Sequence, residues 1–329
     1  MEQAKTALVL GATGGVGGEV ARALVARGWQ VRALARNPGA QPGLAVEWMR
    51  GDAMQCADVV AAAQGVALIV HAVNPPGYRD WDKLVLPMLE NTIAAAHASG
   101  ARILLPGTIY NYGAGSAGLL AEDAPQRPSS RKGAIRVEME QRLRVAGVRT
   151  LVVRAGDFFG PRPGNNWFSQ GLVKSAAYIT YPGKAGAGHA WAYLPDLADT
   201  MVNLVEQEAR LGVYESFHFG GHWDADGTRM VAAIRSAAGK PALPVRRLPW
   251  WALRLLAPVV PLFREMAEMR YLWQQPFALD NARLLRFLGG ETHTPLDVAV
   301  GAALGSVPTF GHGPISCGAT DGPVSECWH

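Results

Sequence analysis

A short apolar run, Thr6 to Leu10, ends in Gly11-Ala12-Thr13-Gly14-Gly15-Val16-Gly17 and passes at once into a helical pattern from about Gly15 to Arg27. No other feature of the chain restricts its fold as strongly. Glycines at 11, 14 and 17 at a strand-to-helix junction each have a physical task. The first permits the tight turn, the second lets backbone N–H groups approach a pyrophosphate, and the third lets helix and strand pack closely. Thr13, Gly15 and Val16 fill the rest of the turn, and the helix N-terminus presents its positive end to a diphosphate.

Strand-length apolar runs then alternate with helical stretches. The pattern predicts strands at Gln30–Ala35, Val46–Arg50, Ala67–Ala72, Arg102–Leu105 and Thr150–Arg154. It predicts helices at Ala57–Ala63, Trp81–Ser99 and Lys132–Val145. Such alternation implies right-handed βαβ units and an α/β fold with a doubly wound parallel sheet, the Rossmann architecture. Residues 1–160 form the expected nucleotide-binding domain. Residues 161–304 form a smaller α/β substrate lobe partly interleaved with it, and 305–329 a Gly-, Pro- and Ser-rich tail expected to be disordered. Within the lobe, helices are expected from Leu194, over Gly227–Ala238, over Leu279–Leu288 and over Pro295–Leu304, with a strand at Tyr214–Gly220.

The end of the second strand selects the nucleotide. An NAD site places an acidic residue there for the ribose 2′-hydroxyl. Between Glu19 and Glu47 this sequence has no acid, and it offers Arg32 and Arg36 instead. A guanidinium at Arg36 would pair with a 2′-phosphate, so NADP is favoured over NAD. Asp52, after the third strand, is placed to accept from the adenine amino group. Ala72, Val73 and Asn74, closing the fourth strand, would line the nucleotide.

Composition removes other classes. With 49% hydrophobic and 18% charged residues, the bulk of the 329-residue chain can bury a core and is not disordered. Thirty-one basic against 27 acidic residues leave +4, too small and scattered a surplus to argue for nucleic acid. Three cysteines (Cys56, Cys317, Cys327) give neither a C-x-x-C pair nor an even framework, so no metal site and a reducing cytoplasm are expected. No run reaches the roughly 18 apolar residues of a membrane span. The nearest, Pro249 to Phe263 (PWWALRLLAPVVPLF), is broken by Arg254 and prolines and reads as a buried or interfacial segment, with Trp250, Trp251 and Trp273 assigned to core.

Over about residues 5–304 the chain resembles the short-chain dehydrogenase/reductase superfamily in its extended and atypical branches, the NAD-dependent epimerase/dehydratase family. The resemblance rests on the glycine turn, on Gly107-Thr108-Ile109-Tyr110-Asn111-Tyr112-Gly113, and on Arg154 to Pro161 (RAGDFFGP). Trp191 to Asp196 (WAYLPD) and Leu279-Asp280-Asn281 followed by Leu288-Gly289 add to it. In that superfamily a Tyr-x-x-x-Lys pair moves the proton. Here Lys132 stands in the tyrosine's place and Arg136 in the lysine's. The stretch is similar in register to isoflavone reductase-like and NmrA-like members, and in the reductases among them a lysine is the proposed acid/base. Lys132, Arg136 and Glu140, at i, i+4 and i+8, would share one helix face. Arg136 beside Lys132 would lower the lysine's pKa toward a useful range.

The resemblance implies an NADP(H)-dependent oxidoreductase. Hydride would pass to or from a small apolar carbonyl or enone, with Lys132 moving the proton and Thr108 holding the oxygen. Tyr110 is a further candidate, and Asn165, Asn166 and Trp167 are candidate pocket residues. His189 reads as a hydrogen-bonded structural histidine. Two other functions stay open: a catalytically silent NmrA-like NADP(H) sensor, and a nucleotide-sugar epimerase/dehydratase with Tyr110 replacing the lost tyrosine. The expected partner is a small-molecule substrate, and the resemblance also allows a homodimer through the flanking helices.

Overall fold

The computed structural model describes residues 5–39, 44–75, 81–116, 118–162 and 166–310. The first third holds β1 (Thr6–Leu10), α1 (Gly15–Ala26), β2 (Gln30–Ala35), β3 (Glu47–Arg50), α2 (Cys56–Ala62), β4 (Leu68–His71), α3 (Trp81–Ser99) and β5 (Arg102–Thr108). The middle holds β6 (Gly118–Leu120), α4 (Arg131–Ala146), β7 (Thr150–Ala155), β8 (Asp157–Phe159), β9 (Ile179–Tyr181), β10 (His189–Tyr193), α5 (Leu194–Glu206) and β11 (Tyr214–His218). The last third holds β12 (His222–Asp224), α6 (Thr228–Ala237), β13 (Val245–Arg247), α7 (Trp250–Leu256), α8 (Pro261–Glu268), β14 (Phe277–Leu279), α9 (Ala282–Leu288) and α10 (Leu296–Gly305).

Seven strands form one sheet in the order β11-β7-β5-β4-β1-β2-β3, every neighbouring pair parallel. The doubly wound architecture expected from the alternation is therefore present. Strand direction of growth reverses between β1 and β4, which opens a crevice at their C-terminal ends. Alternate residues of β1 serve opposite faces. Ala7 and Val9 meet Val20 and Leu24 of α1 and Met201 and Leu204 of α5, whereas Leu8 and Leu10 meet Val59 of α2 and Leu89 of α3. Each such aliphatic side chain withdrawn from water contributes about 1.5–3 kcal/mol.

β11 enters the sheet edge from residues 214–218, so the sheet is completed only by chain beyond residue 160. The lobe itself is built on β12-β10-β8, β13-β9 and β14-β6, most strands being three residues long. Strands so short carry no readable period. This explains one correction: the helix expected over Leu279–Leu288 starts at Ala282, and Phe277–Leu279 pairs in parallel with Gly118–Leu120. Asp280 Oδ1 accepts from the Ala282 amide at 2.9 Å and so ends the strand and begins the helix. Past α10, Val307 is buried, Phe310 packs on the lobe core, and Thr309 donates to the Val173 carbonyl at 3.2 Å. The rest of the tail, with His312, Cys317, Cys327 and His329, lies outside the described residues.

A buried polar knot joins the two halves. Arg154 on β7 donates from Nε and Nη2 to both carboxylate oxygens of Glu140 on α4, at 2.9 and 2.6 Å. Its Nη1 donates to the Tyr112 hydroxyl at 3.3 Å and the Glu122 carbonyl at 3.2 Å. His218 Nδ1 donates to the Leu120 carbonyl at 3.0 Å, which leaves Nε2 as an acceptor facing Arg154 Nη1 at 3.1 Å and Tyr112 at 3.0 Å. Asn111 and Gln126 donate to the remaining capacity of Glu140 at 2.7 and 3.1 Å. Burial pushes the Glu140 carboxyl up, but the hydrogen bonds and charge of Arg154, with the hydrogen bonds of Gln126 and Asn111, hold it below its usual pKa, while burial first, and the Arg154 charge second, push His218 down to about 4.

Two outcomes follow from the knot. Arg154→Met leaves a carboxylate buried without its cation and should cost about 3–5 kcal/mol in urea unfolding at neutral pH. His218 is neutral in the folded chain, so the unfolded chain takes up a proton near pH 6.5 that the folded chain refuses until about 4. Stability should therefore decline as pH falls from about 6.5 to about 4, by on the order of 3 kcal/mol from this group, and His218→Gln should flatten that part of a urea-midpoint-against-pH curve.

Candidate active site

The crevice at the C-terminal ends of β1 and β4 is a cleft of about 940 Å³. Its floor is backbone. Gly11 has φ +91°, and a Cβ on it would lie 2.5 Å from the Ala72 carbonyl oxygen. A Cβ on Gly17 would lie 2.3 Å from the Gly11 carbonyl oxygen. Both positions exclude any side chain because strand, turn and helix are in backbone contact there. Gly14 caps α1 with no side-chain hydrogen bond to the helix amides, so the positive end of the helix opens into the cleft. A cradle of this shape fits a dinucleotide pyrophosphate.

The sequence-derived nucleotide residues come together here. Gly11, Thr13, Gly14, Gly15, Val16, Arg36, Asp52, Ala72, Val73 and Asn74 all line the cleft. Gly17 lies behind the turn, where it supports packing instead of contacting the cleft. The two arginines of β2 separate in role. Arg32 is held by Glu47 at 3.3 Å and by the Gln64 carbonyl at 2.7 Å, whereas Arg36 is exposed on the cleft wall. Asp52 is pinned by its own turn: its amide donates to Asp58 Oδ2 at 2.9 Å, and its Oδ1 accepts from the Met54 amide at 3.0 Å.

The cleft is further lined by Thr108, Arg136, Phe158, Asn166 and Leu194, and by Leu84 and Met88 of α3. Thr108 Oγ1 accepts from the Tyr110 amide at 3.3 Å, capping a short helical turn; its own O–H proton is left to donate toward the cleft. Arg136 donates to Asn74 Oδ1 at 3.2 Å and its guanidinium lies 5.2 Å from the Trp81 ring centre. His71, at the end of β4, shares a 2.8 Å hydrogen bond with Thr92. Burial, and then the Arg136 charge, bring its pKa down to about 3, so it is a neutral floor to the cleft. The apolar reading of Ala67–Ala72 concealed it.

Lys132 is placed differently from its neighbours. It is buried on α4 but is not among the cleft-lining residues, and its Nζ lies 2.9 Å from Glu265 Oε2, itself buried on α8. Burial lowers the lysine's pKa, Glu265 raises it, and the charge that adds to the lowering is Arg131, not Arg136 as the sequence suggested. The face shared by Lys132, Arg136 and Glu140 exists, yet each residue has a separate partner: Glu265, Asn74 and Arg154. Glu265 carried no motif; only the return of α8 over α4 brings it there.

Tyr110 belongs to a second cluster. Its hydroxyl donates to Asp157 Oδ1 at 3.4 Å, and Asp157 Oδ2 lies 2.9 Å from His189 Nε2. His189 in turn stacks on Trp273 with ring centres 3.8 Å apart. Trp191, Trp250 and Trp273 are buried among Phe159, Phe168 and Trp167, but Trp251, read as core, is 74% exposed. Asn166 reaches the cleft and its Oδ1 accepts from the Ser169 amide at 2.9 Å, Trp167 packs 5.4 Å from Trp273, and Asn165 lies outside the described residues.

Comparison with known proteins agrees with this geometry. Residues 11–164 match a family model described as NAD(P)H-binding. Sterol demethylase protein B of Methylococcus capsulatus is 41% identical over 81 residues, 24% of this chain; the matched stretch spans about a quarter of that relative's length (25%). The UDP-N-acetylglucosamine 4-epimerase structure from Bacillus cereus has a TM-score of 0.72 at 17% identity, covering 92% of this chain and 99% of that one. The Bordetella bronchiseptica enzyme WbmH, in complex with NAD+, has a TM-score of 0.71 at 20% identity, covering 94% and 100%. With its glycine cradle at the switch point and its match over residues 11–164, the chain carries an NAD(P)H-binding Rossmann domain, on a fold shared with the UDP-N-acetylglucosamine 4-epimerase and WbmH structures.

Proposed function

We propose that the protein is an NADP(H)-dependent oxidoreductase acting on an apolar carbonyl or hydroxyl compound. The observation that carries the reading is the composition of the cleft lining: Arg36 just past β2, where no acidic residue stands, together with the Thr108 hydroxyl and the apolar side chains of Leu84, Met88, Phe158 and Leu194. When bound, the nicotinamide supplies or accepts a hydride. Thr108 would donate to the substrate oxygen. Arg136, fixed by Asn74 and Trp81, would keep one positive charge beside the coenzyme's sugar.

Lys132, which does not line the cleft while it is held 2.9 Å from Glu265, would have to turn from that carboxylate to deliver the proton to the oxygen as the carbonyl is reduced, or to remove it in the reverse direction. Its lowered pKa suits either step, and Glu265 moderates that lowering. Substrate chemistry is supported by the apolar residues in the cleft lining and by the name of the matched relative, a sterol demethylase protein. The Lys132–Glu265 pair also favours a second reading, in which the lysine is a structural post and the protein is a nucleotide-binding regulator. The neighbouring folds belong to nucleotide-sugar epimerases, but here lysine replaces the phenol on which that chemistry relies in the resemblance drawn above.

Two measurements test the proposal. NADPH should raise the melting temperature more than NADH does, and Arg36→Ala should remove the difference, equivalent to about a tenfold or greater loss of NADPH affinity. Equal shifts in the parent protein would overturn the coenzyme assignment. In NADPH oxidation with a panel of apolar ketones and enones, Lys132→Met should lower kcat by about 10²–10⁴ with nucleotide binding intact. Carbonyl reduction needs the protonated amine, so its rate should fall as pH rises through the lysine's pKa. Glu265→Gln removes a raising influence and should move that fall to lower pH; turnover indifferent to both substitutions would favour the regulator.

A further inference from the structure

The face of the lobe that carries α7 is apolar and outward-facing. Trp251 is 74% exposed, Leu255 73%, Leu256 44% and Val259 75%. Trp251 and Leu255 are four residues apart and so share one side of α7; Trp250 and Leu253 form the opposite, buried side. The burial is specific: the Trp250 indole N–H donates to the Pro182 carbonyl at 2.8 Å, and its ring lies 6.2 Å from Trp167. The orientation of α7 is therefore fixed by the core, and its apolar outer side is a settled surface.

Charge completes the pattern. From Pro241 to Phe263 the chain has three arginines, Arg246, Arg247 and Arg254, and no Asp or Glu, whereas Arg264 lies 3.8 Å from Glu265. The three are exposed, and Arg246 is held over the Tyr178 ring at 4.1 Å. Large aromatic and aliphatic side chains facing out, with exposed arginines before and among them in the chain, suit the boundary between acyl chains and anionic headgroups. With seven residues, α7 is far too short to cross a bilayer, and no helix among the described residues is long and apolar enough to do so. A contact in the plane of the membrane is the geometry that remains.

We infer that the α7 face, Trp251, Leu255, Leu256 and Val259 with the exposed Arg246, Arg247 and Arg254, docks on an anionic lipid bilayer. The occupant is a lipid surface and not a second copy of the chain, because the three exposed guanidinium groups would repel their own copies. α7 packs against α8, which carries Glu265, so the docking face and the partner of Lys132 belong to one helical pair.

The test is flotation of the full chain with vesicles of phosphatidylcholine alone or mixed with phosphatidylglycerol. The chain should float with the mixed vesicles at low salt, with a blue shift of tryptophan emission, and should be released by high salt. Trp251→Ser/Leu255→Ser should lower the partition constant by about tenfold or more while the melting temperature is held, since both side chains face outward. Arg247→Glu/Arg254→Glu should weaken binding to the anionic vesicles alone. A chain that floats with neither vesicle, or a serine double variant that binds like the parent, would overturn the inference. So would a dimer in size-exclusion chromatography that the serine variant dissolves while the parent ignores lipid. The readout needs neither nucleotide nor turnover, so its failure is separable from failure of the catalytic reading.

Discussion

Backbone contact at the junction of β1, α1 and β4 is the constraint on which the rest of the molecule is arranged. The Gly11 and Gly17 positions sit so close to the Ala72 and Gly11 carbonyls that no side chain can enter. That closeness seats α1 on the sheet, leaves its first amides without a side-chain cap, and places the ends of β1 and β4 around one crevice. Wherever a nucleotide's phosphates are to be held by amides alone, a wall of Cβ atoms would keep them out.

Away from that junction the molecule depends on charged groups buried in pairs. Arg154 with Glu140 and Lys132 with Glu265 are both nearly inaccessible to water, yet they differ in how completely they are satisfied. The first pair is bidentate and further hydrogen-bonded by Tyr112, Asn111 and Gln126. Such a set fixes a unique packing and has little freedom to exchange protons. The second joins an amine whose ammonium form is disfavoured by burial to Glu265, a carboxylate shared with Arg131 at 3.0 Å, and the charge of Glu268 adds to the compensation. A group balanced between a burial penalty and compensating carboxylates can change protonation state at smaller cost than the bidentate pair.

Much of this was legible in the residues. The glycine spacing, the missing acid after β2 and the apolar strand ends located the cleft, and the boundaries of β2 and α3 could be read directly from their flanking turns. What escaped was everything that depends on distant parts of the chain meeting. Glu265 is one carboxylate in an amphipathic segment, and Asp157, the partner of the histidine read as structural, His189, is the first residue of a three-residue strand; neither has a local periodicity that marks it. The three-residue strands of the lobe are too short to show alternation, and Trp251 differs from Trp250 only by the one-residue rotation that turns a helix side outward. Arg36 and Arg32 illustrate the same limit, since the positions of Glu47 on the neighbouring strand and of the Gln64 carbonyl after α2 decide which of them is spent.

The place of β11 at the edge of the main sheet has a consequence for how the protein is made. β7 is finished at residue 155, but the strand that covers its outer edge comes from residues 214–218, after much of the lobe has been synthesised. A nascent chain leaving the ribosome therefore displays an apolar, unpaired ribbon for as long as translation takes to cover that interval. Such an edge invites pairing with other chains, so a folding helper, or rapid hydrophobic collapse of the emerging lobe, would protect the protein at that stage.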